Sequence, residues 1–233
     1  MFNSFPPTDS VAPSLGLLLG EVRVLADWRR GGRMGKAVPV KNEGDGRAVM
    51  VLPGFFASDA STIRLRRTLK TAGYYAYGWG QGRNLGVRAD SLTKIDARLD
   101  RIAREVDGPV TLVGWSLGGL MAREYAKYAP HRVAKIITLG SPFSGDPRAN
   151  HAWRLYEFVA RHPVDAPPIP SSLCDKPPVP TTAIWSRNDG IIAPASARGQ
   201  SHERDHAVEV DCGHMGFPSD DAAIRAVLDA IQR

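Results

Sequence analysis

Ser116, Asp189 and His214 have the types and settings that nucleophilic catalysis requires. Ser116 is the centre of Gly114-Trp115-Ser116-Leu117-Gly118, which follows the apolar run Val110-Thr111-Leu112-Val113 and precedes a helix-like pattern. A Gly-x-Ser-x-Gly turn in that setting is the sequence form of a nucleophile elbow, a strained strand-to-helix bend that pushes a serine hydroxyl out at the edge of a sheet. Gly114 and Gly118 flank the serine where side chains would collide. Gly119 lets the helix start close to the strand.

A serine hydroxyl is a weak nucleophile until a base takes its proton, and the base needs a carboxylate to fix its tautomer and steady its charge. Asp189 lies in Ser186-Arg187-Asn188-Asp189-Gly190, just past the strand-like run Thr181–Trp185. His214 lies in Asp211-Cys212-Gly213-His214-Met215-Gly216, just past the run Ala207–Val210. If those runs are parallel strands, all three residues reach the same sheet edge, where open α/β sheets build their sites. Asp146 and Asp175 fall in an irregular insertion, Asp211 falls at a strand end, and His131, His151 and His162 precede the acid. All are poorer candidates. Two backbone N–H groups must hold the oxyanion. Leu117, next after the serine, is one candidate. In Leu52-Pro53-Gly54-Phe55-Phe56, proline has no N–H to give and Phe55 is the other. Phe56, Trp115 and Met215, beside these groups, are the expected substrate contacts.

The elements that must position these residues are legible. Ala48–Leu52 reads as a buried parallel strand, and Tyr74–Trp79, the elbow strand, Val133–Leu139, Thr181–Trp185 and Ala207–Val210 follow it. Helical patterns lie between them: 59–71 with Asp59 as its cap, 90–106, 117–129 stopped by Pro130, and about 219–231. The alternation predicts an α/β fold with a mostly parallel sheet of about six strands, covered by helices on both faces. Residues 141–180 break the rhythm with many prolines and one aromatic patch (Trp153, Leu155, Tyr156 and Phe158), which reads as a lid or cap. Residues 1–46 read as a helical and linker extension ahead of the main domain, 47–233. Within it, the leucines of 13–30 fall near helical spacing. The favoured reading is a helix packed on the domain, and the alternative is weak contact with a membrane surface or lipid substrate through that leucine-rich face.

The bulk properties exclude several classes. At 233 residues, 43% hydrophobic and 23% charged, the chain is long enough for one well-buried globular domain. Its net charge of +6 is scattered, as a solvated surface would be, and no nucleic-acid partner is expected. Cys174 and Cys212 are too few for a disulfide framework; unpaired thiols are the favoured reading, and one bridge is the alternative if the chain is exported. No export signal or spanning segment is visible, so a cytoplasmic setting is expected. His202-Glu203-Arg204-Asp205-His206 matches a zinc pattern that needs both histidines on one helix face, but it lacks apolar anchors and a third ligand; neither metal nor organic cofactor is expected. The loop Gly80-Gln81-Gly82-Arg83-Asn84-Leu85-Gly86 has one residue too many for a dinucleotide fingerprint and reads as a pocket wall, with Arg83 or Asn84 in polar contact.

Together, Leu52-Pro53-Gly54-Phe55, the Gly114–Gly118 elbow, the Asp189 loop and the His214 loop resemble the α/β-hydrolase superfamily on its bacterial lipase and esterase side, over about residues 47–232. Many lipases have histidine-glycine where this chain has Pro53-Gly54, which weakens any transfer of true-lipase specificity. The resemblance implies a carboxylic ester hydrolase acting on a small-molecule or lipid ester through an acyl-enzyme, with Ser116, His214 and Asp189 as its triad. Acyl transfer on the same triad and a non-catalytic binding protein on the same fold are the alternatives.

Overall fold

The computed structural model describes residues 12–21, 36–169 and 172–233. Six strands, β1 (Ala48–Leu52), β2 (Tyr75–Gly78), β3 (Val110–Trp115), β4 (Val133–Leu139), β5 (Thr181–Trp185) and β6 (His206–Glu209), form one sheet in the order β2-β1-β3-β4-β5-β6. Every pairing is parallel. β1, β3 and β5 are buried along their whole length, as unbroken apolar runs inside a parallel sheet must be. The edge strand β6, His-Ala-Val-Glu, is largely exposed, which its polar ends allow.

The helices are α1, described over 15–21, α2 (Ile63–Thr71), α3 (Ser91–Ile102), α4 (Leu117–Tyr128), α5 (Trp153–Ala160), α6 (Pro194–Arg198) and α7 (Asp221–Gln232). Side chains of a strand alternate between faces, so one strand feeds two cores. Val49 and Val51 join Leu65 and Leu69 of α2 and Ile224, Val227 and Ile231 of α7 on one face. Met50 and Leu52 join Ile95 and Leu99 of α3 and Met121 and Tyr125 of α4 on the other. The chain runs from β1 out to β2, then crosses back to β3 on the other side of β1. This reversal leaves a crevice between the carboxyl ends of β1 and β3, where Leu52 is registered against Gly114.

One expectation about local structure is corrected. Asp59 does not cap its helix. The stretch begins as a 3-10 turn capped by Ser58 without a side-chain bond. The Asp59 carboxylate instead accepts from the Trp79 and Gly80 N–H groups, 3.0 Å each, tying down the loop after β2. Two backbone donors in fixed positions outcompete a local cap. Ahead of β1, the described part of the extension packs on the domain. Val38 is fully buried in the core with its N–H on Thr68 Oγ1, and α1 lies against the loops after β5 and β6. The remainder of the predicted helix over 13–30 lies outside the described residues. Cys174 and Cys212 are both free thiols. Among the described residues no helix is long and apolar enough to cross a membrane.

Candidate active site

Ser116 adopts φ 54° and ψ −121°, a conformation that L-residues with a Cβ avoid and that marks stored strain at a functional turn. The surrounding glycines make the bend sterically feasible. A Cβ on Gly114 would lie 2.3 Å from Gly119 Cα, and one on Gly118 would lie 2.4 Å from the Leu52 carbonyl oxygen. Both obstacles are backbone, so neither can move cheaply. Gly118→Ala is therefore expected to destabilise the protein by about 1–3 kcal/mol, measured as a lower urea midpoint with unchanged m-value.

Asp189 is fully buried at the carboxyl end of β5. Its Oδ1 accepts from the N–H groups of Ile191 (2.9 Å) and Ile192 (2.7 Å), which fixes the carboxylate in its loop. Its other oxygen, Oδ2, lies 2.7 Å from His214 Nδ1. With Nδ1 held by a carboxylate, the imidazole presents Nε2 as its free nitrogen. His214 is itself 3% exposed. Burial alone would lower its pKa, but the charge and hydrogen bond of Asp189, with the charge of Glu21, outweigh burial and raise it. The histidine packs on the elbow strand. Trp115 Nε1 donates to the His214 carbonyl oxygen at 3.1 Å, and the two rings are 5.9 Å apart. Ser116 is the next residue, and its N–H donates to the Leu139 carbonyl at the end of β4.

The loop after β1 approaches the same place. Among the described residues, neither the Phe55 nor the Leu117 N–H donates a hydrogen bond, whereas the Phe56 N–H donates to Asn84 and the Ala57 N–H to Gly54. Asn84 holds this loop from beneath. It is fully buried, its Nδ2 donates to the Pro53 carbonyl at 2.9 Å, and its backbone N–H donates to Ala57.

Ser116 opens into an apolar cavity lined by Phe55, Leu117, Leu120, Met121, Tyr156 and Ile169, among others, with much of the wall drawn from 141–180. The charged and amide side chains in that lining are already engaged. Glu124 pairs with Lys127 at 2.8 Å, while Asn150 bonds the Pro147 carbonyl and the Ala152 N–H.

Not every expected contact is here. Trp115 does not line the cavity. Strand alternation turns it into the opposite core, where it is 2% exposed. Met215 packs on that same core. Phe56 is 40% exposed with φ 60°, edge-on to Phe55, which takes the lining position. Asn84 and Arg83 do not line the cavity either, and Val87 is the residue of this region that does. The histidines of the zinc-like pattern do not share a helix, since His202 is in a turn and His206 opens β6.

A residue outside the sequence argument stands beside the pair. Glu21 of α1 is 4% exposed, and its carboxylate accepts from the N–H groups of Gly190, His214 and Met215. Its only mark in the sequence is an acid closing a leucine run.

The geometry invites comparison with known proteins. A carboxylesterase from Bacillus subtilis superposes with a TM-score of 0.60 at 14% identity, covering 82% of this chain and 85% of that one. This is the α/β-hydrolase fold. A family model described as the α/β-hydrolase fold matches residues 106–166, which include the elbow and α4. Two curated bacterial relatives, both named pimeloyl-[acyl-carrier protein] methyl ester esterase, also match. The Vibrio campbellii protein is 37% identical over 75 residues, 32% of this chain and 28% of its own length. The Photobacterium profundum protein is 31% identical over 123 residues, 49% of this chain and 44% of its own length. The chain thus spans less than half the length of these relatives. In α/β-hydrolase terms, Ser116 occupies the strand-to-helix bend, and Asp189 and His214 follow the last two strands of the sheet.

Proposed function

We propose that this chain hydrolyses carboxylic esters through an acyl-enzyme formed on Ser116. The reading is carried by what the carboxyl edge of the sheet holds: a serine in a strained bend at the mouth of an apolar cavity, and a buried imidazole whose Nδ1 is held by a carboxylate. The cavity accepts the acyl part of the ester by removing apolar surface from water. His214 Nε2 takes the Ser116 proton as Oγ attacks the carbonyl carbon, and the N–H groups of Phe55 and Leu117 receive the oxyanion. In this mechanism the Ser116 hydroxyl and His214 Nε2 come within hydrogen-bonding reach as substrate enters, because catalytic hydrogen bonds in ligand-free sites are often long or poorly aligned. His214 then gives the proton to the departing alcohol. A water molecule, deprotonated by the same nitrogen, releases the acid and restores the serine.

The lining favours an apolar acyl chain, since it is mostly apolar and its charged and amide side chains, Glu124 and Asn150, are already engaged. The methyl ester esterases among the relatives act within the same reaction class. The reading is tested with a fluorophosphonate probe, expected to label Ser116 stoichiometrically and to abolish cleavage of p-nitrophenyl esters. Across a panel of increasing acyl length, KM should fall as methylenes are added, until the cavity is filled. Absence of labelling at Ser116 in folded protein would overturn the proposal.

A further inference from the structure

The contacts of Glu21 place a third element at the catalytic pair. Its Oε1 accepts from Gly190 N (2.9 Å) and His214 N (2.6 Å), and its Oε2 accepts from Met215 N (2.9 Å). Gly190 follows Asp189 directly, so one carboxylate bridges the loop after β5 to the loop after β6. The packing is close on both sides. A Cβ on Gly190 would lie 2.4 Å from the Leu17 carbonyl oxygen of α1, and one on Gly213 would lie 2.9 Å from Glu21 Oε1. Both glycines therefore leave room for the helix and its acid. His151 adds a further tie, with its Nε2 2.7 Å from the Pro13 carbonyl oxygen.

We propose that Glu21 is a positioning residue that locks the Asp189 loop to the His214 loop, making helix α1 a working part of the active site. The inference rests on the ester-hydrolase reading for its catalytic consequence but not for its structural one. Glu21 does not line the cavity and so does not meet the acyl chain. It acts through backbone: three charge-assisted hydrogen bonds, two of them buried and the one to Met215 partly so, hold the two loops at the separation the Asp189–His214 bond requires. It also acts through charge. The charged groups facing His214 are Asp189 from the loop after β5 and Glu21 from α1, and both raise its pKa. The aromatic rings of Trp115 and Phe217 pack against the imidazole, and the nearby Cys212 thiol is pushed up chiefly by burial and stays neutral.

Two variants separate these actions. Glu21→Ala removes all three acceptors and the charge. Glu21→Gln removes the charge and the acceptor for Met215, while its amide oxygen can still serve Gly190 and His214. With a p-nitrophenyl ester, Glu21→Ala is expected to lose about 10- to 100-fold in kcat, with KM changed less than about threefold; Glu21→Gln should lose less. In both, the acidic limb of the kcat/KM profile should move to lower pH, because one of the causes raising His214 is gone. Amide hydrogen exchange should show lost protection at Gly190, His214 and Met215 in Glu21→Ala, and at Met215 in Glu21→Gln. Unchanged exchange at these amides, or an unmoved acidic limb in an active variant, overturns the proposal. If Glu21→Ala does not fold, Glu21→Gln decides by the same two readouts. If the unmodified protein neither reacts with fluorophosphonate nor cleaves esters, the catalytic reading fails, and the exchange measurement alone decides whether Glu21 joins the loops.

Discussion

Replacing Ser116 with alanine is expected to lower kcat for ester cleavage by about 10⁴- to 10⁶-fold while leaving the fold intact. At about 1.4 kcal/mol per tenfold change, that is a loss of roughly 5–8 kcal/mol of transition-state stabilisation. In the proposed mechanism the loss is large because the serine, the imidazole and the carboxylate act as one unit. Without Oγ, the base has no proton to take and the oxyanion donors stabilise only direct attack by water. The fold should survive because alanine carries the same Cβ into the same strained bend. The strain at φ 54° is set by the backbone and by the glycines around it, not by the hydroxyl. Thermal unfolding is therefore expected to change by only a few degrees. Steady-state kinetics and a melting curve on the same preparation check both halves, and turnover within tenfold of the unmodified protein would remove Ser116 from its role.

Asp189→Asn is expected to cost about 10⁴-fold in kcat, through the tautomer of His214 rather than through any contact with substrate. Oδ1 accepts from the N–H groups of Ile191 and Ile192, so an asparagine keeps its oxygen there and turns its NH₂ toward His214 Nδ1. That NH₂ donates, so Nδ1 becomes an acceptor and the ring proton moves to Nε2, the nitrogen that takes the serine proton in the proposed mechanism. The base is then occupied.

The same geometry sets the pH dependence. In the unmodified protein the His214 pKa is raised, with the attraction of Asp189 and Glu21 outweighing burial. A protonated imidazole cannot accept the serine proton. Activity should thus be full above the folded pKa and lost as pH falls through it, with a midpoint above the ordinary histidine value of about 6.5. In Asp189→Asn the residual activity should show its acidic limb at lower pH than the unmodified protein. A limb that stays in place would mean that the Asp189–His214 pair does not govern the titration.

The six strands and the longer helices between them were readable because each inner strand is an apolar run of the right length and each of those helices carries a 3.6-residue apolar stripe, whereas the five-residue α6 has none to read. β4 and β5 match the expected spans residue for residue. The elbow could be read from its glycines, since a bend that tight tolerates no Cβ at 114 or 118. Asp189 and His214 could be placed because parallel strands deliver the loops at their carboxyl ends to one edge. These are short-range facts, carried by periodicity and by chain order.

Tertiary structure alone decided how those loops are held and what faces the substrate. Trp115, Met215 and Phe56 adjoin the expected catalytic residues in sequence, yet strand alternation and a left-handed backbone turn carry their side chains away from the cavity. Their places are taken by residues of α4, just past Ser116, and of 141–180, farther along the chain. Asn84 and Glu21 reach loops that lie 31 and more than 160 residues away, through hydrogen bonds to backbone rather than to any particular side chain. A backbone N–H leaves no trace in residue type, so no motif could name either partner. The sequence by itself determined the sheet, the bend at Ser116 and the order of serine, acid and histidine. Only the folded chain brings an acid from the first helix onto the two loops that hold the pair.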